Sequence, residues 1–269
     1  MDIFTQPPLQ RIFSSTGIGP VEISSSGYKK TKIRIRVIYD KEGLGNNLHT
    51  GWGVSFLIDD RILFDTGERG KWLLENMRTM EVELSKIETI VISHDHWDHC
   101  GGLWDLLRHR KGIPVYICPR FGKGFKDKAL GIGANLIEIE KFTPVAQNVF
   151  STGEIPGAYK EEYVAEQALV LETENGLTII TGCAHPGISE IVKQVQFQFP
   201  TEHIHLVMGG FHLRGSNKQE VEMVVDDFKK RNITRVGPTH CSGDMAKEIF
   251  KNRYGDNFDH IKTGQDIEV

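Results

Sequence analysis

Apolar and polar positions alternate in short blocks along most of the chain, and the blocks switch between strand and helix periodicity. Ile33, Ile35 and Val37 alternate with more polar neighbours and predict a first strand. Two apolar runs, 53–58 and 61–64, flank Asp59-Asp60 and read as a hairpin. Helical spacing over 72–80 precedes a strand at 84–93, a helix at 101–110 and a strand at 115–118. Residues 119–167 are glycine- and lysine-rich with little periodicity, so an insertion or loop region over a site is expected there. Residues 1–30 carry Pro7, Pro8, Gly17, Gly19, Pro20 and a serine run. That composition makes a poor core and predicts an N-terminal extension.

The second half repeats one arrangement three times. The apolar run 177–181 leads into Gly182-Cys183-Ala184-His185, 204–208 into Gly209-Gly210-Phe211-His212, and 233–237 into Pro238-Thr239-His240. Helical segments at 189–197, 219–230 and 244–252 follow them. Strands alternating with helices predict an α/β fold, in which ligands gather beyond the carboxyl ends of strands. His49, His109, His203, His205 and His260 lack this setting and read as structural or solvent-exposed.

The densest chemistry lies behind the run 87–93, where residues 94–99 read His-Asp-His-Trp-Asp-His. With eleven histidines in 269 residues, four possible ligands (His94, His96, Asp98, His99) in six positions exceed chance use. Imidazole and carboxylate together suit zinc, and also iron or manganese. His94 and His96 alternate, so an extended segment turns both to one side. Asp98 and His99 follow in a turn that can reach a second ion about 3.5–4 Å away. Asp95 is turned away from the first ion, as an orienting group or a plain surface carboxylate. One or two divalent transition metals are the expected cofactor.

Composition adds bounds. A chain of 269 residues with 39% hydrophobic and 25% charged content has material for one large α/β domain, placed at 31–269. A net charge of −4 with interspersed signs argues against a nucleic-acid or membrane surface and leaves a small-molecule substrate as the expected partner. No apolar stretch approaches the ~20 residues of a membrane span. The N-terminus lacks the basic-then-apolar order of a secretion signal. The four cysteines form no CxxC pair, and reduced thiols in a cytoplasm are expected.

The HxHxDH pattern of His94, His96, Asp98 and His99, followed by Gly101-Gly102, resembles the signature of the metallo-β-lactamase superfamily. Ile62-Leu63-Phe64 leading into Asp65-Thr66-Gly67 is similar to that family's early strand and loop. The resemblance covers roughly 31–269. It implies an αββα sandwich with metals at one edge, and an Asp65 that supports the metal site from behind. The loops ending in His185, His212 and His240 look like a narrower branch. That branch includes an enzyme joining a dihydropterin pyrophosphate to a ribofuranosyl-aminobenzene phosphate, alongside generic metal-dependent hydrolases.

One departure stands out, because the family supplies a further histidine before an Asp or Cys that bridges the metals. None occurs between His109 and His185. Either His185 takes that role, or it is filled otherwise and Gly182-Cys183 aligns with the bridging position. Cys183 then reads as a thiolate ligand or as a small buried residue. His94 and His96, with His185 or His240, are expected at one ion; Asp98, His99 and His240 face the other. Asp98 also orients a metal-activated water, and His212 is assigned to substrate as a proton donor, with a ligand role open.

The stretch 119–128 places Arg120, Lys123, Lys126 and Lys128 among Phe121 and Phe125. It reads as a phosphate- and ring-binding element or as a solvated basic loop. Trp52 and Tyr159 are further wall candidates. The expected function is metal-dependent hydrolysis of a small phosphoester- or ester-like substrate, the alternative being the pterin-joining transferase.

Overall fold

A computed structural model describes residues 30–269, so the extension expected at 1–30 lies outside the described residues apart from Lys30. The first half runs β1 (Arg34–Tyr39), β2 (Ser55–Ile58), β3 (Ile62–Phe64), α1 (Gly70–Thr79), β4 (Thr89–Val91), α2 (Trp97–Cys100), α3 (Leu103–His109), β5 (Pro114–Ile117), α4 (Lys123–Ile132) and β6 (Asn135–Glu138). Next come β7 (Thr143–Ala146), β8 (Val149–Ser151), β9 (Ile155–Tyr159), β10 (Glu162–Glu166), β11 (Leu169–Thr173) and β12 (Gly176–Thr181). The chain closes with α5 (Ile188–Gln198), β13 (Ile204–Gly210), α6 (Lys218–Lys230), β14 (Arg235–Thr239), α7 (Asp244–Tyr254) and β15 (Asp266–Glu268).

Two sheets result, one ordered β15-β1-β2-β3-β4-β5-β6 and the other β14-β13-β12-β11-β8-β7. Their facing sides share one core, where Phe56, Phe64 and Val91 of the first meet Leu169, Leu171, Ile180, Leu206 and Met208 of the second. Strand alternation sends the intervening residues outward. Val170, Ile179 and Val207 pack under α5, α6 and α7, while Leu57, Leu63 and Ile90 pack under α1 and α3. The molecule is an αββα sandwich.

The segment 119–167 corrects the expectation of a loop. It supplies α4, β6 at the edge of the first sheet and β7 and β8 of the second; β9 and β10 pair as a separate hairpin. Its glycines mark element ends: Gly133, with φ at 100°, caps α4 in the left-handed region. The strand expected over 84–93 is also shorter, because residues 84–86 form a 3-10 turn before β4.

β3, β4 and β5 are parallel, as are β12, β13 and β14. Parallel pairing brings the carboxyl ends of β3 and β4 to one rim, and those of β12, β13 and β14 to the matching rim of the other sheet. Gln167 ties the two together, its amide donating to the Ile92 carbonyl (2.8 Å) and its N–H to the Ser93 carbonyl (2.9 Å).

Candidate metal centre

All of the histidine-bearing loops converge on that rim. His94 follows β4 and is fully shielded; its ring centroid stands 4.6 Å from His96 and 4.9 Å from His185, and those two are 4.9 Å apart. Asp98 and His99 sit on the single turn of α2, facing His240 beyond β14. Nε2 of His240 lies 3.3 Å from Oδ2 of Asp98 and 3.3 Å from Nε2 of His99. In space His185 lies beside His94 and His96, and His240 lies beside Asp98 and His99.

Cys183 belongs to both groups. Its Sγ lies within 4.8 Å of donors of His94 and His185, and equally within 4.8 Å of donors of Asp98, His99 and His240. It lies 3.3 Å from Nε2 of His99. Both residues of the departure from the family pattern are thus at the rim, His185 beside His94 and Cys183 common to the two groups. His212 stands one step outward, its ring 4.3 Å from that of His185, and forms a third group with Cys183 and Cys241.

Backbone strain marks the rim. Asp65, Ala184, His212 and His240 all have φ between 50° and 65°, a region costing roughly 1–3 kcal/mol per non-glycine residue. Gly53, with φ at 100°, is required by close approach: an added Cβ would fall 1.8 Å from the Asp98 carbonyl oxygen. Its N–H donates to Nδ1 of His240 at 3.1 Å.

Two buried carboxylates hold the ligand loops. Asp65 accepts from the N–H and hydroxyl of Ser93, both at 2.7 Å, and its Oδ2 lies 2.6 Å from Nδ1 of His99. Glu166, at the end of β10, accepts from the N–H groups of Cys183 (2.9 Å), Ala184 (2.7 Å) and His185 (2.7 Å). Burial raises its carboxyl to about 7 against those three donors. Glu166 escaped the sequence reading, although Glu166-Gln167 is a polar break inside an otherwise apolar run from 164 to 171, a recognisable signal.

Electrostatics favour neutral imidazoles on one side and an ionised pair on the other. Burial and neighbouring imidazoles push His94 well below its ordinary range and His185 down to about 3. Burial would also lower His99, yet Asp65 and Asp98 override it and hold the ring up at about 9. Asp98 is partly desolvated, but His240 and His99 keep its carboxyl well below the carboxylate range. Burial and the adjacent Cys241 push the Cys183 thiol up; a cation at the shared position reverses that.

The residues fit a metal. Nε2 of His94 and both ring nitrogens of His185 are buried without a hydrogen-bond partner among the described residues. An unmet buried polar atom costs about 1–3 kcal/mol, and a cation meets several at once. Imidazole, carboxylate and thiolate donors suit a divalent transition ion.

The remaining candidates lie elsewhere. Asp95 accepts from the Gly122 N–H at 2.7 Å, bracing the start of α4 rather than a ligand. Phe121 is buried against Phe125 in the core beneath the first sheet. Arg120 pairs with Glu154 (2.9 Å) and Tyr163 (2.8 Å), Lys126 with Glu138 and the Pro119 carbonyl (both 2.6 Å), and Lys123 with Asp127 (2.5 Å). None of the four lines the cavity over the donors: Arg120 and Phe121 precede α4, Lys123 and Lys126 lie on it, and each of the three cations has a carboxylate partner elsewhere. That cavity, about 730 Å³, is walled instead by Trp52, Trp97, Tyr159, His212 and Arg214. Tyr159 arrives on the β9–β10 hairpin, its ring 5.6 Å from His96.

The family model of the metallo-β-lactamase superfamily matches residues 53–245, spanning every donor named above. The chain belongs to the metallo-β-lactamase superfamily. Within it, the chain is 26% identical to a 7,8-dihydropterin-6-methyl-4-(β-D-ribofuranosyl)-aminobenzene-5′-phosphate synthase of Methanocaldococcus jannaschii, covering 85% of this chain and 94% of the relative. An uncharacterised protein of the same organism is 30% identical over 81% of this chain and 93% of its own. Among solved structures, a metal-dependent hydrolase of the β-lactamase superfamily superposes with a TM-score of 0.75 at 29% identity, covering 88% of this chain and 99% of that one. A diphosphatase of the PhnP family, 14% identical with a TM-score of 0.58 and coverage of 90% and 98%, shares the superfamily fold.

Proposed function

We propose that this superfamily member is a metal-dependent hydrolase acting on a small phosphoester- or ester-like substrate through activated water. One observation carries the reading: two donor groups share Cys183 and open onto a cavity large enough for a small molecule. His94, His96 and His185 would hold one ion, Asp98, His99 and His240 a second, with Cys183 between them. A thiolate in the set makes zinc the first choice, with manganese or iron as alternatives. Divalent ions held there would supply Lewis acidity, lowering the pKa of a bound water from 15.7 toward ~7 and polarising an ester or phosphoryl oxygen.

The chain's own groups complete the chemistry. Asp98, kept ionised by its imidazole neighbours, accepts a hydrogen bond from the attacking water and fixes its direction. His212 is half-buried at the cavity wall, and the Cys241 side chain raises its basicity, so it carries a proton for the departing group. The rings of Trp52, Trp97 and Tyr159 offer apolar faces for the substrate's apolar part. The test is a screen of the metal-loaded protein against phosphodiesters, lactones and thioesters. Turnover lost in His94→Ala and kept in His109→Ala supports the reading; no turnover of any class by metal-replete protein refutes it.

The second reading, a transferase joining a dihydropterin pyrophosphate to a ribofuranosyl-aminobenzene phosphate, is favoured by the end-to-end similarity to the synthase. Pyrophosphate release separates the two. A transferase releases it only with the aryl-amine acceptor present, whereas a hydrolase needs only water.

A further inference from the structure

The cavity over the donors adjoins a smaller one of about 290 Å³, and the two share Trp52, Arg214 and His240. Arg214 is exposed at this junction, and its guanidinium carbon lies 5.1 Å from the centre of the Trp52 ring. Among the described residues it makes no ion pair. Arg120, Lys123 and Lys126 differ, since each has a carboxylate, and Lys128 lies over the Trp104 ring away from both cavities. Its backbone is fixed: the Arg214 N–H donates to the Cys241 carbonyl at 3.1 Å, and Gly243 packs so closely that an added Cβ would lie 2.8 Å from the Arg214 Cα. A guanidinium lying over an indole keeps its N–H edges free for an oxyanion.

We propose that Arg214, backed by Trp52, is the specificity-determining contact for a phosphate group carried by the substrate away from its reacting bond. The inference rests on the hydrolytic reading of the metal centre and narrows its substrate to one with a phosphorylated tail. Geometry separates the two ends: His96, Asp98, Cys183 and His185 line only the inner cavity, whereas Arg214 faces both cavities at their junction, beside His240. Charge selects phosphate over carboxylate. The outer cavity also holds Lys41, paired at 2.9 Å with Asp244, whose side chain is 91% exposed and must be displaced for Lys41 to reach an anion. A dianion draws on both cations; a carboxylate needs only Arg214.

Calorimetric titration of the metal-loaded full chain with phenyl phosphate, and separately with benzoate, tests this. Phenyl phosphate binding weakened about tenfold or more in Arg214→Ala, partly restored in Arg214→Lys and reduced by added salt, is expected. Metal content and thermal midpoint should stay at wild-type values, since Arg214 is exposed. Because phosphate also binds metal ions, His94→Ala is titrated in parallel. Binding unchanged in Arg214→Ala but lost in His94→Ala would overturn the proposal, as would benzoate binding as tightly as phenyl phosphate, or no binding to wild type. Arg214-dependent binding by a protein that hydrolyses nothing would support the phosphate contact and refute the hydrolase.

Discussion

Oδ2 of Asp65 and Nδ1 of His99 stand 2.6 Å apart, with both side chains fully shielded from solvent. The contact places the proton of Nδ1 between ring and carboxylate and aims Nε2 at Cys183, 3.3 Å away. Ser93 completes the set, so one carboxylate joins β3, β4 and the turn of α2. A histidine held this way is a better donor, because its other nitrogen is fixed and its basicity raised.

Asp65→Asn tests that relationship. Asparagine keeps one acceptor for the Ser93 N–H but turns an amide toward the Ser93 hydroxyl and His99. The expected result is metal affinity reduced about 10–100-fold with the fold retained, by competition with a chromogenic chelator and circular dichroism. Wild-type affinity in the variant would remove Asp65 from the metal site.

Purified protein should carry one to two equivalents of transition metal by elemental analysis. His94→Ala should lose at least one, because it removes a buried Nε2 that has no hydrogen-bond partner among the described residues. His109→Ala, at the exposed end of α3, should keep them all. Metal-free wild type that also fails to rebind zinc would end every catalytic reading of this site.

Glu166→Gln should cost about 1–3 kcal/mol and loosen metal retention, because an amide nitrogen then faces N–H groups of the 183–185 loop. Urea denaturation and metal release rates measure both effects. A variant as stable as wild type, with unchanged release, would show that the loop holds its shape without this carboxylate.

Asp40 gives a pH prediction. It is fully buried and accepts from the Thr239 hydroxyl at 2.7 Å; burial raises its carboxyl from 3.8 to about 6 despite that bond. The folded state therefore holds this proton more tightly than the unfolded state. The stabilising contribution is complete below about pH 4 and is lost as pH rises through 6, on the order of 3 kcal/mol. Asp40→Asn should flatten that part of the pH–stability curve. Parallel curves for variant and wild type between pH 4 and 7 would contradict it.

Gly53→Ala should be among the most damaging single-methyl changes, because its Cβ collides with the Asp98 backbone and no rotamer relieves it. A loss of about 2–4 kcal/mol with impaired metal binding is expected. A soluble, metal-replete variant with an unchanged thermal midpoint would refute it.

Much of this was legible in the order of residues. The 94–99 cluster, the four strands ending in histidine loops and Asp65 after its apolar run are local patterns, because strand periodicity and ligand spacing are short-range properties. The α/β class and the superfamily follow from them. Tertiary packing decided the rest. Parallel pairing at two facing rims set His185 beside His94, His240 beside Asp98 and Cys183 between both groups, contacts that span up to about 140 residues of chain. It buried Phe121 and tied down Arg120, Lys123 and Lys126, because a helix and its neighbours neutralise charges that look free in a row of letters. Glu166, Trp97 and Arg214 gained their places only from the closing of the sandwich. Sequence named the candidate donors; packing chose their neighbours, since distance in space depends on which strands pair.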